Sequence, residues 1–138
     1  MAFNPRKLTH DAYTVGWVCA LRSELNASRA LLDEEHERLQ PGENDDNSYL
    51  LGRMGDHNVA ITFLGSGTCG TNAAAQTVTN MVRTFRNIRF GLIVGVGGGA
   101  PKPPHPEDPL KDIRLGDAVV SDPKGKHGMH LAPILGLS

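Results

Sequence analysis

The sequence has few of the features that mark a secreted, membrane-bound or nucleic-acid-binding protein. Its two cysteines, Cys19 and Cys69, are too few for a disulfide framework or a four-ligand zinc site. Basic residues number 14 and acidic residues 15, so the chain lacks the basic excess of a polyanion-binding module. No apolar run approaches the roughly 18 residues of a membrane span, and residues 1–12 contain no apolar signal region. We therefore expect a cytoplasmic protein with reduced thiols and no nucleic-acid or membrane partner.

Glycine and proline, in contrast, are abundant and clustered. They number 16 and 9 among 138 residues, which exceeds their usual combined share of about 12%. Most of the excess falls between residues 65 and 112, where it indicates specific loops rather than general disorder. The chain length fits a single domain of about 100–200 residues.

Apolar runs alternate with helical patterns along the chain. Residues 13–21 and 90–96 are nearly continuous apolar runs, which are typical of strands buried in a parallel sheet. Further elements are predicted as helices over 24–39 and 71–85, a hairpin of strands 49–54 and 59–64, and a short strand over 117–121. This order predicts an α/β fold with a central mixed, largely parallel sheet flanked by helices.

Three remaining stretches are expected to lie outside the regular core. Residues 1–12 are predicted to be a flexible arm and residues 122–138 an irregular tail, which leaves 13–121 as the folded part. Residues 33–46 carry seven acids and one arginine, so a solvated face and surface loop are expected there.

Ligands of parallel α/β sheets bind beyond the carboxyl ends of the strands, and residues 20–24, 65–70 and 95–99 fall at such ends. The segment from Gly65 to Gly70 matches G-x-G-x-x-G between a predicted strand and a helix. The acid that would hold the ribose of a dinucleotide is missing after the next strand, and neither glycine loop carries a P-loop Gly-Lys-Ser/Thr. A loop for another polar ligand and a purely structural turn both remain open.

Glu24 is the candidate catalytic carboxylate. It follows the first strand near the start of a helix, where it is either a general base or a complement to the helix dipole. His127 and His130 form H-x-x-H without further ligands nearby, so we expect no metal site. No cofactor is implied.

Three segments together resemble the nucleoside phosphorylase/nucleosidase family of purine/uridine phosphorylase and methylthioadenosine/S-adenosylhomocysteine nucleosidase type. They are VGWVCALRSE at 15–24, the loop and helix start at 65–75, and LIVGVGGG with DIRLGDAVVS between 92 and 121. The resemblance covers about residues 12–128 and is closest to the fungal version found in large NOD-like or ankyrin-repeat proteins. It implies an α/β sandwich around a mixed sheet. It also implies cleavage of the N-glycosidic bond of a nucleoside, by phosphate in phosphorylases and by water in nucleosidases.

The resemblance also implies roles for individual residues. Glu24 corresponds to the carboxylate that orients the attacking water in nucleosidases. Substrate-binding positions are implied at Ser66, Gly67, Val96, Gly97 and Gly98. The implied ligand is a nucleoside of purine type, and the complete domain is expected to form a homo-oligomer.

Departures from the family pattern bear on the nucleophile. Bacterial-type phosphorylases have two arginines and a phosphate-binding serine where this chain has Glu24, Ile93 and Val96. A phosphate site needs fixed positive charge and hydrogen-bond donors. Hydrolysis is therefore expected in preference to phosphorolysis.

The resemblance extends over only the first half of a family domain. The ribose-binding glutamate, the stacking aromatic residue and the aspartate that protonates the base have no counterpart, and the residues after Gly128 depart from the family pattern. We therefore expect a truncated, N-terminal half that is inactive alone. The alternative is a non-catalytic nucleoside-binding or signalling module.

Overall fold

A five-stranded sheet and two helices make up the first of the two units into which the chain divides, Met1–Val96 and Gly97–Ser138. The computed structural model describes residues 4–64, 71–96, 117–122 and 130–134. The strands of the first unit are β1 (Val15–Cys19), β2 (Glu34–Glu35), β3 (Leu50–Met54), β4 (His57–Phe63) and β5 (Phe90–Ile93). Its helices are α1 (Arg22–Leu31) and α2 (Thr71–Thr84).

The sheet is mixed, as the sequence predicts. Its strand order is β2-β3-β4-β1-β5. β1 pairs in parallel with both β4 and β5, whereas β3 pairs antiparallel with both β2 and β4. The largely parallel character predicted for the sheet is therefore restricted to the block β4-β1-β5, because the hairpin and β2 add two antiparallel pairs.

Alternating side chains along the strands form a core on each face of the sheet. One core joins the strands to α2 and consists of Tyr13, Val18, Leu51, Ala60, Met81 and Phe85. The other contains Val15, Cys19, Leu50, Val59 and Ile61, with Leu25 of α1 packed against it. The two helices thus lie on opposite faces, as in layered α/β folds. Within the described ranges neither helix is long and apolar enough to cross a membrane.

The predicted hairpin and the second predicted helix are confirmed. β3 and β4 are joined through Gly55 and Asp56, with Met54 paired to His57. Gly55 has a φ of +57°, which glycine adopts without a steric penalty and which two-residue hairpin loops require. α2 ends at Thr84, one residue before the predicted boundary.

The predicted helix over 24–39 is wrong in its second half. α1 ends at Leu31, and Leu32 is extended with φ −68° and ψ 132°. The chain then runs beside β3, where Asp33 N–H donates to Arg53 O and His36 N–H donates to Leu51 O, both at 2.8 Å. These long-range backbone bonds outweigh the local helical pattern.

Gly52 makes this approach of β2 to β3 possible. A Cβ atom at Gly52 would lie 2.5 Å from the carbonyl oxygen of Glu34 and 2.7 Å from the Cδ1 atom of Leu32. Only a residue without a side chain allows both neighbours this close. The early end of α1 therefore depends on a glycine that lies 21 residues beyond Leu31 in the sequence.

The sequence predicts a flexible arm over residues 1–12, and the structure places residues 4–12 of this arm against the folded unit. Leu8 and Ala12 pack against the core on the α2 side. The guanidinium Nε of Arg6 lies 3.1 Å from Oε1 of Glu34, and the carbonyl of Arg6 accepts a bond from Glu37 N–H at 2.9 Å. Leu8 and Ala12 hold this segment against the sheet because they bury apolar surface there.

The acidic stretch 33–46 includes a buried carboxylate, so the prediction of a wholly solvated loop needs correction. Asp45 is only 8% exposed. Its carboxylate accepts hydrogen bonds from the hydroxyl of Tyr49 at 2.5 Å, from the hydroxyl of Thr84, and from Asn47 N–H at 2.9 Å. A buried carboxylate requires such donors. The loop before β3 is therefore fastened to the end of α2.

The strand predicted over 90–96 is confirmed over Phe90–Ile93, but its predicted burial is wrong. All four residues of β5 are exposed, and Ile93 is 80% exposed. Among the described residues β5 is an edge strand that pairs only with β1. The apolar sequence of β5 predicts a strand, but it does not predict whether other elements pack on both faces of that strand.

The second unit contains a pair of short strands. β6 (Ala118–Asp122) confirms the strand predicted at 117–121 and pairs antiparallel with β7 (His130–Ile134). β7 lies within the tail that was predicted to be irregular, so that prediction is wrong for these five residues. The strand is too short, and interrupted by Pro133, to give a periodic signal.

A buried histidine connects β1 to the residues that flank β2. His36 is 3% exposed, and its Nδ1 lies 2.9 Å from the hydroxyl of Tyr13. Burial raises the pKa of Tyr13 to about 12, so its hydroxyl stays protonated at neutral pH. The other ring nitrogen, Nε2, has no hydrogen-bond partner among the described residues and lies 3.6 Å from Oε1 of Glu34. The pKa of His36 lies below its usual value, mainly because burial disfavours the charged ring. The Glu34 carboxylate acts in the opposite direction and raises this pKa, whereas the positive charges of Arg6 and Arg53 lower it further.

We expect Gly52→Ala to lower the free energy of unfolding by about 1–3 kcal/mol, because the new methyl group overlaps the backbone of β2. Urea denaturation followed by circular dichroism measures the change. Gly91→Ala, in β5, is the matched control because its Cβ would lie 3.9 Å from the nearest atom, the carbonyl oxygen of Gly16. Equal effects of the two substitutions would contradict the role given to Gly52.

Acidification should destabilise the chain through His36. Its folded pKa lies below the unfolded value of about 6.5, so the unfolded state binds more protons between the two values. The free energy of unfolding should therefore fall as the pH decreases through about 6.5 towards the folded pKa. Urea denaturation from about pH 7.5 to about pH 5.5 tests this. His36→Gln should reduce the slope, and an unchanged slope would contradict the assignment.

Candidate functional site

Three parallel strands end side by side at one edge of the sheet, which we call the carboxyl edge. β4 ends at Phe63, β1 at Cys19 and β5 at Ile93, and Cys19 pairs directly with Phe63. The pairing continues past the strands, because Leu64 N–H donates to the carbonyl of Cys19 at 2.9 Å. Open α/β sheets bind their ligands at such an edge.

The structure describes two of the six predicted site residues. Glu24 and Val96 are described, and they are in direct contact at the carboxyl edge. The other four lie outside the described residues: Ser66, Gly67, Gly97 and Gly98. Cys69, which the sequence analysis also considered, lies outside them as well.

Three backbone N–H groups from two parts of the chain fix the Glu24 carboxylate. Its Oε2 accepts bonds from Ala20 N–H at 2.8 Å and from Leu21 N–H at 2.9 Å, just before α1 begins. Its Oε1 accepts a bond from Val96 N–H at 2.8 Å, three residues after β5. One side chain thus satisfies donors at the start of α1 and joins the ends of β1 and β5.

These bonds keep Glu24 ionised. The Val96 N–H bond is the largest cause of a lowered pKa, followed by the Leu21 bond, while partial burial opposes them. A carboxylate can accept about four hydrogen bonds, and three are already made. Glu24 can therefore accept one more bond from water or a hydroxyl, whereas its low pKa makes it unsuited to donate a proton.

Gly95 allows the carboxylate to approach the chain after β5. A Cβ atom at Gly95 would lie 3.0 Å from Oε1 of Glu24, closer than ordinary van der Waals contact. A side chain here would force the carboxylate to move by a few tenths of an ångström. The close approach of the Glu24 carboxylate therefore explains why glycine occupies position 95.

Sequence reasoning assigned no role to Arg22, which also lies at the carboxyl edge. Its guanidinium carbon is 5.8 Å from the centre of the Phe63 ring, within cation–π distance. One feature of the sequence could have drawn attention to Arg22: it lies in the first turn of a helix, where the helix dipole disfavours positive charge. The Phe63 contact, 41 positions away in the sequence, could not be read from that signal.

Cys19 lies at the same edge but is not arranged as a nucleophile. Its side chain belongs to a fully buried residue, and burial raises the pKa of its thiol. A thiol attacks as its thiolate, which a raised pKa suppresses. Cys19 is therefore a packing residue of the core on the α1 side.

No group of three or more potential metal ligands occurs among the described residues. Two surface clefts lie at the end of α2, away from Glu24. One of about 450 Å³ is lined by Gly42, Glu43, Arg83 and Arg86, and the other, of about 530 Å³, shares its two arginines and adds Asp11. Each cleft is lined by two arginines and one carboxylate, and neither includes Glu24 or Val96.

The chain is similar to a protein of the fungus Hyaloscypha variabilis that is described as a nucleotide-binding leucine-rich repeat (NLR)-like protein. The two are 47% identical over 122 residues, which are 88% of this chain and 12% of that protein. The chain thus spans about an eighth of the length of the relative it matches. No family model and no solved structure matches the sequence.

This similarity agrees with the expected relation to fungal NOD-like proteins. The description of the relative names an NLR-like architecture and no nucleoside chemistry. The coarse α/β class comes from the sheet and its two helices, and the nucleoside phosphorylase resemblance remains an expectation from the sequence.

We expect Gly95→Ala to raise the pKa of Glu24 towards its unfolded value, because the added methyl group displaces the carboxylate from Val96 N–H, the main cause of the lowered pKa. Carbon-detected NMR of the side-chain carboxyl group, titrated in the native and urea-unfolded chain, measures both values. Gly91→Ala again serves as the control. Gly91 lies four residues before Gly95, and its new Cβ would be 3.9 Å from the nearest atom, the carbonyl oxygen of Gly16. A native Glu24 pKa equal to the unfolded value would refute the three-donor arrangement.

Proposed function

We propose that this chain carries the water-orienting part of a nucleoside-cleaving domain, with Glu24 at the attacking water. The observation that supports this most is the Glu24 carboxylate itself, ionised and fixed at the carboxyl edge by N–H groups on both sides of it. The sequence resemblance independently assigns a water-orienting carboxylate to the same residue. The implied substrate is a nucleoside of purine type.

The proposed chemistry suits a carboxylate of this kind. Cleavage of a glycosidic bond passes through a transition state with positive charge on the sugar ring. A fixed negative charge beside the ring stabilises that state, and because it is fixed in advance no energy is spent on orienting it. The free lone pair of Glu24 accepts a hydrogen bond from the water and so directs its oxygen at the anomeric carbon.

Water is the proposed nucleophile in preference to phosphate. At the three positions where bacterial-type phosphorylases contact phosphate, this chain has a carboxylate and two aliphatic side chains, Ile93 and Val96. Both aliphatic residues are exposed, at 80% and 85%. The carboxylate repels a phosphate dianion, and neither aliphatic side chain offers it a donor.

The test uses a substrate whose leaving group needs no proton from the protein. A purine leaves when it is protonated, and the family aspartate that protonates it has no counterpart in this chain, so we expect the chain to be inactive on purine nucleosides themselves. The phenolate of 4-nitrophenyl β-ribofuranoside leaves without protonation because it is a weak base. We expect the chain to release nitrophenolate from this riboside in buffer without phosphate, and Glu24→Gln to reduce the rate about 100-fold or more.

Glu43→Gln is the control variant, since it removes an exposed carboxylate far from the carboxyl edge; it should leave the rate unchanged. Release that requires phosphate would overturn the choice of water. No release by the wild-type chain would overturn cleavage by this site.

The second candidate is a nucleoside-binding module that signals without cleavage. It is favoured by the NLR-like relative, of which the matched region is only 12%. Protein-observed NMR with adenosine distinguishes the two. Shifts of the Leu21 and Val96 amides without any nitrophenolate release would support the second candidate.

A further inference from the structure

A buried histidine and an exposed arginine share one carboxylate oxygen, although they come from different segments of the chain. Oε1 of Glu34, in β2, lies 3.1 Å from the guanidinium Nε of Arg6 and 3.6 Å from Nε2 of His36. The second oxygen, Oε2, accepts a bond from Nη2 of Arg6 at 3.4 Å and lies 3.5 Å from Nε of Arg53. Arg6 and His36 are therefore competitors for the same acceptor.

The two competitors differ in their freedom to move. The side chain of His36 is fully buried and its ring packs edge-on against that of Tyr13, so it has no path into water. The side chain of Arg6 is 57% exposed and can turn into water. Nε2 of His36 has no hydrogen-bond partner within the described ranges, which is unusual for a buried polar nitrogen. A change of charge at Nε2 is therefore met more easily by movement of Arg6 than by movement of His36.

A proton on the ring changes the hydrogen bonds that His36 needs. In the neutral ring one nitrogen donates and the other accepts, whereas in the charged ring both nitrogens donate. Nδ1 then donates to the hydroxyl of Tyr13, 2.9 Å away, and Nε2 donates towards Glu34, the carboxylate within ion-pair distance. The charged ring also repels Arg6, because both cations lie beside the same oxygen.

The part of the chain that contains Arg6 is held mainly by polar contacts. The carbonyl of Arg6 accepts a bond from the backbone N–H of Glu37 at 2.9 Å. Nζ of Lys7 lies 3.9 Å from the Glu37 carboxylate, and both of these side chains are exposed. Exposed ion pairs add little to stability. The pair of Arg6 with Glu34 is therefore a substantial part of what holds residues 4–7.

The rest of the arm, from residue 8 to residue 12, is fixed in ways that a proton does not remove. Leu8 packs against the core on the α2 side. Nε2 of His10 lies 2.7 Å from the backbone carbonyl of Gln40, to which it donates whether the ring is neutral or charged. Residues 4–7 can therefore come away while the remainder of the arm stays in place.

We infer that His36 is a pH-sensitive switch for the amino-terminal segment: when its ring takes up a proton from solvent, Glu34 turns from Arg6 to His36, and residues 4–7 detach from the chain after β2. The switch is independent of the cleavage chemistry proposed for Glu24. It makes the attachment of the amino-terminal segment depend on the pH around the protein.

The direction of the pH dependence follows from the groups that face His36. They are Arg6 from the arm, Glu34 from β2, Arg53 from β3, and the hydroxyl of Tyr13 before β1, which stays protonated at neutral pH. Burial is the main cause of the lowered pKa of His36, Glu34 opposes it, and the two arginines lower it further. When Arg6 leaves, its lowering effect is lost and the pKa of His36 rises. The detached state therefore binds more protons, and its population increases as the pH falls.

Two neighbouring backbone amides distinguish detachment of the segment from unfolding of the sheet. Glu37 N–H donates to the carbonyl of Arg6, so its protection against hydrogen exchange reports the attached segment. His36 N–H donates to the carbonyl of Leu51 in β3 and reports the sheet. We propose to measure both by NMR on the full 138-residue chain from about pH 7.5 to about pH 5.5, with rates corrected for the intrinsic effect of pH.

We expect the Glu37 amide to be less protected than the His36 amide at every pH, because it opens locally. Its protection factor should fall about threefold or more on acidification, which corresponds to the loss of one exposed ion pair. Equal protection of the two amides would overturn the switch, since the segment would then leave only when the sheet unfolds. A Glu37 protection factor that does not change with pH would also overturn it.

Three variants test the competition itself. Arg6→Gln removes the exposed competitor, so Glu37 protection should be low and independent of pH. His36→Gln removes the proton acceptor, so Glu37 protection should stay high across the range. Lys7→Gln is the matched control, because it removes a neighbouring exposed charge that lies 3.9 Å from Glu37 and leaves Glu34 untouched. The pH dependence should survive in this control.

A pH dependence that persists in Arg6→Gln or in His36→Gln would overturn the switch, since the competition would then not be its cause. Loss of the pH dependence in Lys7→Gln would overturn it as well, because a general effect of surface charge would explain the result. If His36→Gln fails to fold, Arg6→Gln decides the question, since the Arg6 side chain is exposed and its replacement leaves both cores intact.

Discussion

Hydrogen bonding along both edges of β1 is the constraint on which the first unit depends. Five residues of β1 pair with β4 and four of the same residues pair with β5. Because both neighbours run parallel to β1, the three strands end at one edge, and α1 begins there immediately after β1. The core on each face needs this central strand as well, since Val18 belongs to one core and Cys19 to the other. The position of Glu24 follows from this pairing.

Charged and polar groups fasten the peripheral segments to the central strands. The Glu34 carboxylate lies within ion-pair distance of Arg6, from the chain before β1, and of Arg53 in β3. The Asp45 carboxylate performs the same task on the other side by joining its own loop to Thr84 at the end of α2. Exposed pairs contribute little to stability, about 0–1 kcal/mol, whereas a buried acceptor left without its donors costs more. The acidic stretch is therefore joined to the fold at Glu34 and Asp45, and also at Asp33, whose carboxylate accepts a bond from Gly55 N–H at 2.6 Å.

Sequence reasoning succeeded where the signal is local. The hairpin at Gly55 and helix α2 were predicted because turn glycines and helical spacing act over a few residues. The end of α1 was missed because Gly52, far along the chain, decides it by steric space. The exposure of β5 was missed because composition predicts a strand and not what covers it. Glu24 was placed correctly after β1, but its bond to Val96 spans 72 positions, and the position of Arg22 over Phe63 also depends on the folded sheet.

Any ligand of the carboxyl edge would be recognised by contact and not by long-range attraction. The whole chain carries a net charge of −1, so it generates no strong field that would steer a ligand. Arg22 is exposed and Glu24 partly so, and salt screens exposed charges beyond about 8 Å at physiological ionic strength. Because the N–H groups that fix Glu24 also lower its pKa, the negative charge at the carboxyl edge persists across neutral pH.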